Sequence, residues 1–239
     1  MIDSVFISDL HLQSNCQEIH ERFVRFVQWA KANTQNVYIL GDFMHVWSGD
    51  DLIDDYAKSI IALLSELNDH GIKTYFLPGN RDFLVGKQFY TAAKIQPLND
   101  CTIINLHGCR VFLTHGDRYC TADIAHQFLR LITRNFLFRL IFLNIPKFLR
   151  HSLVKIIREY SQSKKKSAKY FPINQKKLFK DMHKNQVSIS IYGHIHKPNH
   201  FIDTYKNFTY QRFILSDWDN EPRLLCFNNQ KGFFFAEMT

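Results

Sequence analysis

Five short apolar runs in this chain end in the same kind of polar chemistry, and that repetition constrains the fold more than any other feature. VFIS is followed by DLH, VYIL by GDF, TYFLP by GNRD, VFLT by HGD and SISIY by GHIH. Short β-branched or aromatic runs alternate with helical patterns through the first half of the chain, the mark of βαβ units and an α/β fold. In open α/β sheets ligands sit at the carboxyl ends of the strands. The aspartates, asparagine and histidines that end these runs are therefore expected to converge on one crevice. Glycine beside them lets the backbone turn sharply there.

Asn15 and Glu18 have the spacing of a capping box, after which Ile19, Phe23, Phe26, Val27 and Ala30 fall on one helical face. Residues 53–70 read as a second helix stopped by Gly71. Beyond residue 185 the pattern turns to strand: VSISIY, FTYQRFIL, then RLLCF and GFFF around the turn-like NNQK. With 239 residues, 46% of them hydrophobic, the chain can build one sizeable core with a smaller lobe inserted. The five cysteines, Cys16, Cys101, Cys109, Cys120 and Cys226, are odd in number and contain no CxxC pair. That argues against a disulfide framework and for a reducing cytosol. MIDSVFISDLHL lacks a basic leader segment, so no signal peptide is expected. FLFRLIFLNI is interrupted by Arg139 and falls short of the roughly 20 residues a bilayer requires.

Each polar cluster has an ordinary explanation when taken alone. Asp9 with His11 could be a helix cap beside a surface histidine, Gly41–Asp42 a turn, and His115 a satisfied buried histidine. Asp9, His11, Asp42, Asn80, His115, His194 and His196 across five strand ends form a joint pattern that coincidence does not supply. His194 and His196 both face the crevice if the backbone kinks after Gly193. Carboxylate, amide oxygen and imidazole without thiolate suit Mn, Fe, Zn, Co or Mg. Seven ligands exceed the need of one open catalytic metal. They suit two, about 3.5–4 Å apart and bridged by a carboxylate, the arrangement used for in-line attack at phosphorus. From the residues alone, the expected chemistry is hydrolysis of a phosphoester or phosphoanhydride.

In this order, D-x-H, GD, GN-x-D, H-G and GH-x-H resemble the calcineurin-like metallophosphoesterase superfamily over Asp9 to His196. The resemblance implies a β-sandwich flanked by helices. It places Asp9, His11, Asp42 and His196 around one metal and Asp42, Asn80, His115 and His194 around the other, with Asp42 as the bridge. GNRDFL-x-G at 79–86, W-x-GDD at 47–51 and HGD-x-x-C-T-x-D at 115–123 are similar to the UDP-2,3-diacylglucosamine pyrophosphohydrolase family of lipid A biosynthesis. That similarity implies attack of a metal-activated water on the α-phosphorus, giving UMP and 2,3-diacylglucosamine 1-phosphate, with Mn2+ as the usual cofactor. Asp42, Asn80, Arg81 and His115 would carry catalysis. Asn80, Arg81, Asp123, Ser161, Lys166 and His194 would bind substrate, although Ser161 and Lys166 match only if two residues are deleted between them. Where the family commonly has glutamate this chain has His45, which is not expected to be a ligand. Asp82 is expected to orient its own loop.

The resemblance further implies a core of residues 1–123 and 173–239 with a helical lid at 124–172. Net charge is +8, which calls for an anionic partner. From Ile124 to Arg158 there is no Asp or Glu but there are seven Lys and Arg among many Leu, Ile and Phe. A solvated helix face usually mixes charge signs. This stretch is therefore expected to line an acyl pocket and rest on the anionic cytoplasmic face of an inner membrane, rather than to form two ordinary amphipathic helices. UDP-2,3-diacylglucosamine is the expected partner; neither nucleic acid nor an obligate protein partner is expected. The alternative is another metal-dependent phosphodiesterase or a nuclease, and a membrane-docking module without catalysis is the rival of a different class.

Overall fold

Along the central strands successive side chains enter different cores, so both faces of each sheet must be covered. The computed structural model describes residues 1–154, 156 and 172–238. One sheet has six strands in the order β11 (Gly232–Ala236), β10 (Leu224–Asn228), β1 (Ile2–Ile7), β2 (Thr34–Ile39), β3 (Lys73–Phe76) and β4 (Gln96–Pro97). In it Val5, Ile7, Val37, Ile39, Phe76 and Cys226 pack towards the helices, whereas Phe6, Tyr38, Leu77, Leu225 and Phe227 face the second sheet. That sheet has five strands in the order β5 (Thr102–Leu106), β6 (Cys109–Thr114), β7 (Ile189–Tyr192), β9 (Phe208–Ile214) and β8 (Asn199–Tyr205). Val111, Leu113, Ile191 and Phe213 meet the first sheet. The result is the expected β-sandwich with helices on its outer faces.

Helices α1 (Gln17–Asn33), α2 (Asp55–Asp69) and α3 (Lys87–Ala92) cover the six-stranded sheet, and α7 (Gln175–Lys184) covers the other through Leu178, Phe179 and Met182. The apolar face expected of α1 is buried in full: Ile19, Phe23, Phe26, Val27 and Ala30. Its expected capping box is not formed. The helix starts at Gln17, Cys16 stands at the N-cap without a side-chain bond, and Asn15 lies one residue too early. Packing of the apolar stripe, rather than the cap, fixes where this helix begins. α2 begins at an Asp54 cap and ends before Gly71 at φ 79°, as the sequence predicts. Strand β8 was not legible because its alternation is weak and its face exposed. It is held by antiparallel pairing to β9 through a tight turn with positive φ at Lys206 and Asn207.

Strands β1, β2 and β3 run parallel to one another, as do β6, β7 and β9, so their carboxyl ends gather along one rim. Over that rim lies a lobe of α4 (Ile124–Thr133), α5 (Phe136–Leu143) and α6, described over residues 147–154. No helix among the described residues is long and apolar enough to cross a membrane.

W-x-GDD is a structural joint. Asp50 accepts from Trp47 Nε1 (3.0 Å), Gly86 N (2.9 Å) and Phe89 N (3.0 Å), so it caps α3 from a distant loop. Asp50→Ala is expected to lower stability by about 1–2 kcal/mol in urea unfolding, the upper range for a lost helix cap; a wild-type midpoint would remove this role.

Candidate metal centre

The strand ends are drawn together by backbone bonds that continue past the sheets. Asp9 N donates to Gly41 O (3.0 Å), His11 N to Asp42 O (3.0 Å) and Gly193 N to His115 O (3.0 Å). Asp9, His11, Asp42, His194 and His196 all have left-handed φ, between 50° and 67°. That conformation is uncommon for residues with a side chain and marks strain stored at a functional site. Gly79 and Gly193 permit the close approach: a Cβ on Gly79 would overlap the Asp42 nitrogen and carboxylate, and one on Gly193 would overlap the Asp9 carboxylate and Ser8.

Two groups of ligand-bearing side chains result. Asp9, His11 and His196 form one and Asp42, His115 and His194 the other, with the ligand atoms of each group within 4.8 Å of one another. Asn80 completes the second, its Oδ1 lying 3.0 Å from His115 Nε2. All seven residues singled out in the sequence thus line one crevice. His115 donates from Nδ1 to Leu40 O (2.9 Å), which leaves Nε2 facing Asn80 and Asp42. His196 is oriented in the same way by Asp217, whose Oδ2 is 3.4 Å from its Nδ1. Sequence reading missed Asp217, although SDWD directly follows the strand run FTYQRFIL and is a sixth polar strand end.

Electrostatics tie the groups together. Burial would raise both carboxyls. His196, His115 and His11 nevertheless hold Asp9 far below the usual carboxylate range, and His115, His11 and Arg81 hold Asp42 at about 2. Burial likewise opposes charge on His115 and His196, but Asp42, Asp9 and Asp117 raise the first to about 9, and Asp217 with Asp9 raises the second to about 10. Burial and the neighbouring charges of Arg81 and His115 lower His11 to about 3 and His194 to about 4. The donor set fits divalent cations on geometry as well. Asp9 Oδ1 is buried with only His196 Nε2 beside it, at 3.3 Å and without hydrogen-bond geometry, and His11 Nε2 and His196 Nε2 approach to 3.4 Å. Two imidazole nitrogens and a carboxylate oxygen so close together are satisfied together by a cation.

Arg81 stands at the edge of the second group. Its amide donates to Asp42 Oδ1 (2.8 Å), its Nε lies 3.4 Å from Asp42 Oδ2, and its Nη1 is 3.1 Å from His45 Nδ1. His45 therefore supports Arg81 from outside the ligand set. Asp82 is wholly buried and accepts from Phe43 N (2.7 Å) and Gly79 N (2.7 Å), which orients the loop as expected. Burial and the Asp42 charge raise its carboxyl to about 6. Asp123 caps α4 by accepting from His126 N (3.0 Å). Ser161 and Lys166 lie outside the described residues.

The lobe departs from expectation in the direction of its charge. Arg130 pairs with Asp117 (2.9 Å) and Asp100 (2.7 Å), and Arg134 donates to the carbonyls of Pro78 (3.1 Å) and Gly79 (2.8 Å). Arg150 is fully buried against Asp51 and Leu143 O. These three arginines fasten the lobe to the core and are not available to an external surface. Among the described residues the lobe exposes large apolar side chains, Phe128, Leu131, Phe136, Leu137, Ile141 and Phe148, beside the exposed Lys147.

The calcineurin-like phosphoesterase family model matches residues 4–198. UDP-2,3-diacylglucosamine hydrolase of Vibrio parahaemolyticus serotype O3:K6 is 34% identical over 229 residues, covering 95% of this chain and 94% of that one. The Pseudomonas fluorescens (strain SBW25) protein of the same name is 35% identical over 234 residues, covering 97% and 94%. That of Histophilus somni (strain 2336) is 36% identical over 220 residues, covering 91% and 93%. Among solved structures, a novel archaeal phosphodiesterase superposes with a TM-score of 0.51 at 12% identity over 98% of both chains, a likeness of fold.

Divalent cation binding is expected to raise the melting temperature by several degrees, since saturation at about 100 times Kd stabilises a protein by about 2.7 kcal/mol. Chelation should reverse the shift in a thermal melt. No shift with millimolar Mn2+, Mg2+ or Zn2+ would remove the metal reading.

Proposed function

The chain belongs to the calcineurin-like phosphoesterase family, and we propose that it hydrolyses the pyrophosphate of UDP-2,3-diacylglucosamine, yielding UMP and 2,3-diacylglucosamine 1-phosphate in lipid A biosynthesis. The observation that carries this reading is the convergence of two ligand groups on one rim with Arg81 beside Asp42. The cofactors would be two divalent cations, Mn2+ by preference; Asp9, His11 and His196 would hold one and Asn80, His115 and His194 the other, with Asp42 available to both. When bound they supply Lewis acidity, which polarises phosphate oxygens and lowers the pKa of water.

The protein supplies position and charge. Water adds at the α-phosphorus, the bond to the bridging oxygen breaks, and that oxygen leaves with the β-phosphate. Arg81 turns from Asp42 to grip phosphate oxygens through two N–H groups, which a planar, permanently charged guanidinium does well. Asn80 and His194 border the same phosphates. Asp123, the cap of α4, contacts the substrate.

The exposed apolar face of α4 and α5 collects the acyl chains and lies on the anionic cytoplasmic surface of the inner membrane. Apolar contact carries much of that docking, because Arg130, Arg134 and Arg150 turn inward. A nuclease reading shares the positive charge, but it gives no role to this apolar surface.

Phosphorus NMR of the Mn2+-loaded protein should show conversion of the acylated substrate to UMP and the lipid phosphate, with an oligonucleotide left intact. Cleavage of the oligonucleotide alone would favour the nuclease reading. Asp42→Asn should lower kcat by orders of magnitude, and Arg81→Ala by about 10²–10³, the usual loss for one stabilising donor. Leu137→Glu with Ile141→Glu should abolish co-sedimentation with anionic vesicles while leaving the melting temperature unchanged; retained sedimentation would count against membrane docking.

A further inference from the structure

The loop after β3 carries Asn80 and Arg81, and its backbone polar groups can be followed one by one. Gly79 N donates to Asp82 Oδ1 at 2.7 Å and Arg81 N to Asp42 Oδ1 at 2.8 Å, so these amides face inward. The carbonyls of Pro78 and Gly79 are both taken by Arg134 Nη2, at 3.1 and 2.8 Å. Arg134 is the C-cap residue of α4. One turn earlier on the same helix, Arg130 Nε donates to Asp117 Oδ2 at 2.9 Å and its Nη2 to Asp100 Oδ2 at 2.7 Å. Asp117 lies two residues beyond His115, and Asp100 also accepts from Thr114 Oγ1 at 2.7 Å. The i, i+4 spacing puts both arginines on one side of α4. This helix therefore grips the Asn80 loop of the first sheet with one arginine and the His115 loop of the second with the other. Between those loops Asn80 Oδ1 and His115 Nε2 are 3.0 Å apart.

We propose that Arg134 is a positioning residue for the second ligand group: by holding the carbonyls of Pro78 and Gly79 against α4, it sets the height of Asn80 relative to His115. The inference rests on the reading above that Asn80, Asp42, His115 and His194 hold a divalent cation. Two charge-assisted bonds from one guanidinium to successive carbonyls leave the loop little freedom to retreat. A role confined to fastening the lobe is separable, because Arg150 fastens the same lobe at Asp51, on a loop that supplies no ligand.

The test is calorimetric titration of Mn2+ into the metal-free full chain, comparing wild type with Arg134→Met, Arg134→Lys and Arg150→Met. Wild type is expected to bind two ions. Arg134→Met should weaken one of them by about 10–100-fold, the usual cost of losing an outer-shell partner, and spare the other. Arg150→Met should leave both unchanged. Lysine retains the charge, but its chain is one atom shorter than the reach to Nη2 that the two carbonyls require, so Arg134→Lys should weaken the same ion to an intermediate degree. If Arg134→Met does not fold, that intermediate loss carries the test, and wild-type binding by Arg134→Lys overturns the proposal. Wild-type binding by Arg134→Met, or an equal loss in Arg150→Met, also overturns it. A wild-type chain that binds fewer than two ions fails differently: it overturns the reading of the site, and the inference with it.

Discussion

The Asp9 carboxylate is the joint on which the rim of this sandwich depends. Its Oδ2 accepts from Ser8 Oγ at 2.6 Å and from His194 N at 2.8 Å, which ties the end of β1 in one sheet to the end of β7 in the other. Its Oδ1 is left for His196, 3.3 Å away. A fully buried carboxylate is costly unless hydrogen-bonded and matched by positive charge. Here the backbone amide of one ligand-bearing loop and the imidazoles of the site provide both. The fold and the site are therefore not independent: what satisfies Asp9 is also what closes the two sheets over the crevice. Gly193 follows from the same constraint, since any side chain there would occupy the place of that carboxylate.

Charge in the lobe reads differently once its partners are known. A stretch with seven cations and no acid looks like an adhesive surface, because a sequence shows no partner from elsewhere in the chain. In the structure Asp117, Asp100 and Asp51 come from core loops and neutralise Arg130 and Arg150, while Arg134 meets carbonyls. Among the described residues of the lobe, the short helices carry a wide exposed apolar face. Such a face suits the collection of acyl chains better than a purely electrostatic one, since the strength of apolar contact scales with the area buried.

Much of the fold and the convergence of the seven candidate ligands were legible because both rest on local signals. Strand ends, the apolar stripe of α1 and the Gly71 stop lie within a few residues of what they predict. Asp217 escaped because its meaning is its contact with His196, which depends on the parallel pairing of β7 and β9. The capping box misled because the spacing of Asn15 and Glu18 is only a local preference, and burial of Phe23 and Phe26 outweighs it. Arg134 looked like one basic residue among seven. Its contact with two carbonyls more than fifty residues away carries no signature in a single sequence.

Arg81 is the residue at which chemistry and specificity meet. A histidine in its place could hand a proton to a departing oxygen; a guanidinium cannot, because it stays protonated at any accessible pH. That difference matters little when the leaving group is already a good anion. The β-phosphate expelled from a pyrophosphate is one, with a second pKa of about 6 for a phosphate monoester. It matters greatly when the leaving group is the alkoxide of a nucleic-acid sugar, which must gain a proton as it departs. A site that puts a fixed positive charge where a proton donor could have stood, and props that charge on Asp42 and His45, is built to hold a phosphate anion rather than to protonate an alkoxide. The side chain between Asn80 and Asp82 thus favours the pyrophosphate over the phosphodiester on grounds independent of the lobe.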